Sequence, residues 1–163
     1  MKKKKIAFDL LIFDTLSDLS QNDQKLLKEA ITARSDAYAP YSKFKVGAAV
    51  LLENGKVVIG NNQENASYPS GLCAERVAVF QAGARFPGVP ITAIAISTLP
   101  SLKADAVPAA PCGNCRQSII EYEQRQKSPI SIIIGSEKGS IYKCASVEDI
   151  LPLAFGGSFL NDS

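Results

Sequence analysis

The chain is predicted to fold as an α/β layered domain with a mixed sheet. Apolar runs of strand length recur along it, two of them joined by a strong turn signal, and segments with an apolar stripe at helical spacing alternate with those runs. The 163 residues suffice for one domain with a real core. Hydrophobic residues make up 46% and charged residues 21%, an ordinary globular composition that argues against disorder.

Ile6, Phe8, Leu10 and Ile12 alternate with period two, so the N-terminus reads as a strand. Ser20 with Asp23 opens a helix whose apolar face is Leu26, Leu27, Ala30, Ile31, Ala33 and Ala37, and Pro40 ends it. Phe44–Leu52 and Val57–Asn61 are strands joined at Asn54-Gly55, a tight-hairpin signal. A polar stretch from Asn61 to Gly71 leads into a helix over Cys73–Ala84. Ile91–Leu99 is a strand and Ser101–Ala110 a loop of small residues. A helix over Cys112–Gln124 follows, then strands at Ile130–Ile134 and Ser140–Cys144. Ser146 with Asp149 opens a short last helix that stops near Pro152.

The formal charge of +2 is too small to indicate a nucleic-acid or membrane partner, and the run Lys2 to Lys5 reads as a solvated tail. Asp9 interrupts the apolar stretch behind that run, and no small-residue cleavage pattern follows, so a signal peptide is not expected. The expected location is the cytoplasm, where cysteines serve as ligands or core residues rather than disulfides. Histidine is absent from the chain. Imidazole-based triads and histidine-containing metal sites are thereby excluded, and acid–base chemistry falls first to a carboxylate.

Three of the four cysteines stand at the starts of the two central helices: Cys73 in GLCAER, and Cys112 and Cys115 in PCGNCRQ. Helix N-termini carry partial positive charge and free N–H groups, which favour thiolate over thiol. Residues three apart on a helix share a face, so Cys112 and Cys115 can converge on one ion. Zinc accepts thiolates in a tetrahedron, and three protein ligands leave one place for water, the catalytic pattern. The alternative is a closed structural site with Cys144 as fourth ligand, in a zinc module that acts by binding; Cys144 otherwise reads as a small apolar residue of a strand. Glu75, two residues beyond Cys73, is placed to move protons beside the metal without ligating it. Three thiolates outweigh the charge of one zinc ion, and Arg76 and Arg116, each directly after a motif, are candidates to offset the excess.

At these residues the sequence resembles the zinc deaminase superfamily, in which cysteine-ligated zinc activates water for attack on carbon 4 of cytosine while a non-ligand glutamate carries protons. Cys-Ala-Glu in place of His-x-Glu points to the three-cysteine branch, and the chain is most similar to the small homotetrameric cytidine deaminases, from roughly Tyr38 through Phe155. The resemblance implies a three-layer α/β/α sandwich with a mixed five-stranded sheet, formed by residues 21–160, with residues 1–20 as an N-terminal extension. It also implies one zinc per subunit, a homotetramer with shared active sites, and hydrolysis of cytidine and deoxycytidine in pyrimidine salvage.

By the same resemblance, AYAPYSKFKVGAAV supplies Phe44 to pack against substrate, and NNQENASYPSGLCAER supplies Asn62 and Glu64 to the sugar hydroxyls. Ala66 and Tyr68 would line the pocket, and the Ala74 backbone would meet the pyrimidine carbonyl. Arg76 matches an arginine that bonds the zinc thiolates. ILPLAF resembles a terminal helix whose last aromatic, here Phe155, stacks on the base bound by a neighbouring subunit. Read without the resemblance, Asn62 and Glu64 are alternate residues facing one side of a strand, which suits gripping two hydroxyls or ending a sheet, and Phe44 and Phe155 read as core. Gln63, Asn114, the long alanine-rich loop before Cys112 and the first twenty residues depart from the family pattern. A blasticidin-type aminonucleoside deaminase is the nearest alternative substrate reading. A polynucleotide editor is disfavoured by the near-neutral charge.

Overall fold

The computed structural model describes residues 1–98 and 107–160. Among these, six strands form one sheet: β1 (Leu11–Phe13), β2 (Val46–Leu52), β3 (Val57–Asn61), β4 (Ile91–Thr98), β5 (Ser131–Gly135) and β6 (Ile141–Cys144), in the spatial order β1-β6-β5-β4-β2-β3. Only β4 and β5 run parallel, joined through a helical crossover; the other pairs are antiparallel, so the sheet is mixed. It has one strand more than the expected five because the N-terminal strand pairs with β6, Phe13 opposite Ile141.

Three helices cover the sheet: α1 (Gln21–Ser35), α2 (Ala74–Arg85) and α3 (Gly113–Gln126). Strand alternation sorts side chains onto two faces. Val50, Ile94, Ile96, Ile132 and Ile134 pack with Ala78 and Val79 of α2 and Ile119 and Ile120 of α3. Ala49, Ala93, Ala95 and Ile133 pack with Leu26, Leu27 and Ala30 of α1. The result is a three-layer α/β/α sandwich. Small residues bring the layers close: a Cβ on Gly47 would lie 2.0 Å from Ala30 O, and one on Gly60 would lie 2.6 Å from Ala78 N and 2.8 Å from Ala74 O. Gly60 thus seats the first turns of α2 directly on β3.

Several expected boundaries differ. The N-terminal strand is confined to Leu11–Phe13; Ile6, Phe8, Leu10 and Ile12 are exposed, and Phe13, of the opposite parity, packs into the core beneath α1. The helix α1 opens as predicted, with Ser20 Oγ accepting from Asp23 N, but closes at Ser35, ahead of Pro40. The β2–β3 hairpin does form at Asn54-Gly55 as expected, its turn closed by Gly55 N donating to Leu52 O with Gly55 at φ 77°. The strand predicted to reach Leu99 is described to Thr98, and the Ser101–Ala110 loop lies outside the described residues as far as residue 106. The short last helix is one 3₁₀ turn, Glu148–Ile150, and the terminal helix implied by the family resemblance is replaced by Pro152, Leu153 at φ 62° and a second 3₁₀ turn, Gly157–Phe159.

Arg34 joins α1 to the ends of two strands. Its guanidinium is buried, donating to Ser97 Oγ and Ser136 Oγ at 3.0 Å each, to the Thr98 carbonyl, and to Glu137 Oε1 at 2.5 Å. The Arg34 hydrogen bond holds the Glu137 carboxyl down at about 2. A lowered folded-state value means stability that is present above the ordinary carboxylate range and lost as pH falls toward 2. Because the Glu137 side chain is 44% exposed, solvent screening holds its contribution to about 1 kcal/mol. Urea denaturation should find Glu137→Gln less stable than the parent by that amount at pH 7, with the gap closing between pH 4.5 and 2; a gap independent of pH contradicts the assignment.

Candidate active site

Helices α2 and α3 lie on the same sheet face with their N-termini together. Cys73 is the N-cap of α2 and Cys112 the N-cap of α3, both with extended backbone and neither thiol spent on capping. Cys115 sits in the first turn of α3 and is buried. The Sγ atoms of Cys73 and Cys112 are 4.0 Å apart, those of Cys112 and Cys115 are 3.5 Å apart, and all three lie within 4.8 Å of one another. Three thiolates held at about 2.3 Å by a tetrahedral zinc ion are separated by about 3.8 Å, so the spacing fits that ion. Zinc is the cofactor of this site.

The fourth cysteine is elsewhere. Cys144 is buried in the apolar core, its thiol directed at Ile132 O, 4.0 Å away, and it does not join the metal-ligating group among the described residues. Burial pushes the Cys144 thiol up to about 11, as expected of an inert core cysteine. The closed four-cysteine arrangement is therefore not formed.

Electrostatics around the triad separate its members. A hydrogen bond from Cys115, reinforced by the Arg76 guanidinium, draws the Cys73 thiol down to about 5, while the same Cys115–Cys73 bond and burial raise Cys115. Arg76 donates to Gly71 O at 3.4 Å, and its buried Nε has no hydrogen-bond partner. Arg116 has a different task from the one expected of it: it donates to Pro111 O at 2.7 Å and Ile150 O at 2.6 Å, stapling the PCGNC turn to the 3₁₀ turn after β6. Glu75, in the first turn of α2, is 5% exposed. Burial, with Cys73 adding to it, raises its pKa above the ordinary carboxylate value, toward the range suited to proton transfer.

Cys73, Cys112 and Glu75 line a cavity of ≈ 570 Å³, with Cys115 buried behind them, within the size range of small-molecule sites. Phe44, Val46, Leu72 and Ile96 give it apolar walls; Asn62, Glu64, Tyr68 and Arg76 give it polar groups. Ala74 is fully buried, and neither it nor Ala66 nor Phe155 is among the residues that line the cavity. Phe155 is 57% exposed and stacks on Phe159 with ring centroids 5.7 Å apart. Asn62 Oδ1 accepts from Val46 N at 2.8 Å and Nδ2 donates to Phe44 O at 2.9 Å, so this side chain clamps the entry to β2 and keeps one amide hydrogen spare. Asn114, Tyr41 and Ser42 also line the cavity, although the sequence assigned none of them to it. Their motifs, PCGNC and AYAPYSKF, were the signal that could have done so.

The chain matches the model of the cytidine and deoxycytidylate deaminase zinc-binding region over residues 20–129. It is 41% identical over 142 residues to the cytidine deaminase of Halalkalibacterium halodurans, covering 85% of this chain and 98% of that one. With the cytidine deaminase of Sporosarcina psychrophila it shares 40% identity, covering 81% and 90%. The crystal structure of cytidine deaminase from Burkholderia pseudomallei resembles the fold with a TM-score of 0.70 at 40% identity, over 84% of this chain and 100% of the other.

The geometry of the cysteines makes a direct prediction. Cys144→Ser should retain one zinc per chain by metal analysis, whereas Cys115→Ser should retain little; loss of zinc from the Cys144 variant would restore the four-cysteine reading.

Proposed function

Because the chain belongs to the cytidine and deoxycytidylate deaminase family, we propose that it hydrolyses cytidine and deoxycytidine to uridine and deoxyuridine with release of ammonia. The observation that carries this reading is a cluster of three thiols at two helix N-termini, two of which line one cavity together with a buried carboxylate. Cys73, Cys112 and Cys115 hold zinc, which when bound supplies the Lewis acidity that brings the pKa of a water molecule toward neutrality.

Glu75 takes a proton from the attacking water and gives it to ring nitrogen 3 of the pyrimidine. The water oxygen bonds carbon 4, and Glu75 then carries the remaining proton of that new hydroxyl to the amino group, whose bond to carbon 4 breaks to release ammonia and leave a carbonyl. A carboxyl raised by burial above its ordinary value holds a proton more readily, which suits both transfers. Arg76 offsets the excess negative charge of three thiolates. Phe44 packs on the base, the Ala74 backbone meets the pyrimidine carbonyl, Ala66 and Tyr68 border the pocket, and Asn62 and Glu64 take the sugar hydroxyls.

Residues 21–160 form the catalytic domain in this reading and residues 1–20 an extension to it. Among the described residues no helix is long and apolar enough to cross a membrane. The proposed location is the cytoplasm, on the ground that pyrimidine salvage acts there on small nucleosides. Phe155, exposed and outside its own cavity, serves a neighbouring subunit in a homotetramer with shared active sites.

Incubation with cytidine should yield uridine and ammonia in equal amounts. Glu75→Gln should keep its zinc and lose at least about 10²-fold in kcat; near-normal turnover removes Glu75 from the proton path. Co-refolding Glu75→Gln with Phe155→Ala should restore part of the activity that each lacks alone, since some mixed sites then hold both native residues. A mixture no more active than its parts argues against shared sites.

A further inference from the structure

We propose that Ser42 is a positioning residue for sugar recognition: its hydroxyl joins the backbone of Phe44 to the carboxylate of Glu64 and turns one oxygen of that carboxylate toward the substrate. The proposal rests on the reading of Glu64 as a sugar ligand.

The hydroxyl of Ser42 works in both directions. It accepts from Phe44 N at 2.9 Å and donates to Glu64 Oε1. Tyr41 N and Ser42 N donate to Glu64 Oε2 at 2.9 and 3.2 Å. The Phe44 peptide is held from its other side by Asn62, whose Nδ2 donates to Phe44 O. Tyr41, Ser42, Phe44, Asn62 and Glu64 all line the cavity.

Between Ser42 and Phe44 the chain passes through Lys43 at φ 59°, the left-handed region that non-glycine residues rarely enter. Lys43 N donates to Ala39 O at 3.1 Å, closing the turn. A turn of that shape presents two consecutive N–H groups and one hydroxyl to a single carboxylate. The same hydroxyl is the main cause that holds Glu64 below its ordinary carboxylate value.

Counting acceptor sites gives the consequence for substrate. An ionised carboxylate offers about four lone pairs. The loop fills both on Oε2 and one on Oε1. One position on Oε1 remains, so Glu64 is set to accept one sugar hydroxyl. Without the Ser42 hydroxyl, Oε1 loses its own donor and the carboxylate is held only through Oε2, so binding of the hydroxylated sugar weakens while proton transfer by Glu75 is untouched.

The test compares cytidine with 2′,3′-dideoxycytidine, which lacks both ring hydroxyls, in the zinc-loaded enzyme. Ser42→Ala should raise KM for cytidine roughly tenfold, the effect of one charge-assisted hydrogen bond, with kcat within about twofold and KM for the dideoxy substrate changed less than about twofold. Zinc content and thermal melting should match the parent. An unchanged KM for cytidine, an equal rise on both substrates, or a loss confined to kcat overturns the proposal. Should Ser42→Ala lose its fold, Ser42→Cys, similar in shape and a weaker donor, carries the same comparison. Glu64→Ala separates the two levels of inference. If it fails to discriminate between the substrates, the sugar role of Glu64 falls and the proposal with it; if it discriminates and Ser42→Ala does not, only the proposal falls.

Discussion

Two helices start side by side on one face of the sheet, and that shared starting point governs the chemistry. The first turns of α2 and α3 leave N–H groups without intrahelical partners, and the side chains at both N-caps are thiols that do not cap. Partial positive charge from both helix ends therefore converges where three sulfurs gather within 4.8 Å. The sheet maintains this convergence through close packing rather than through polar ties. Gly60 admits the backbone of α2, and Ile119 and Ile120 anchor α3 on the isoleucines of β4 and β5. A shift of either helix by the width of a methyl group separates the sulfurs by more than a metal site tolerates.

Around this centre the polar groups divide between holding the fold and facing the cavity, and the division is not by residue type. Arg76 lies beside the thiols while Arg116, in the matching place after the second motif, is consumed by the Pro111 and Ile150 carbonyls. Glu75 is buried in the cavity wall, whereas Glu123, equally buried, accepts from Ile130 N, Val147 N and Ser146 Oγ and simply ties the end of α3 to two loops. Each pair shares a side-chain type and differs in how fully hydrogen bonds to the surrounding loops occupy it.

The metal centre was legible in the sequence because its determinants are local: the spacing of Cys112 and Cys115 is a helical turn, Cys73 and Glu75 share another, and the lack of histidine narrows the donors. The layered α/β order was legible for the same reason. Long-range determinants were not. Alternation along residues 6–12 announces a strand but is silent on which parity meets a partner, and Phe13 takes the inward place. The clamp by Asn62 depends on β3 delivering it beside Phe44 and Val46, eighteen and sixteen residues away. Ser42 has the composition of any loop serine until Glu64 is folded against it. The terminal helix failed because Pro152 and the left-handed Leu153 break a pattern whose apolar residues alone fit a helix.

The three residues of β1 also decide how the sheet ends. By pairing with β6 along Ile141–Lys143 they occupy a row of backbone groups that would otherwise face water. The outermost strand is then too short to template the addition of another chain. The appended segment thus shortens the exposed strand edge at this border to three residues, whereas the opposite border keeps the five residues of β3.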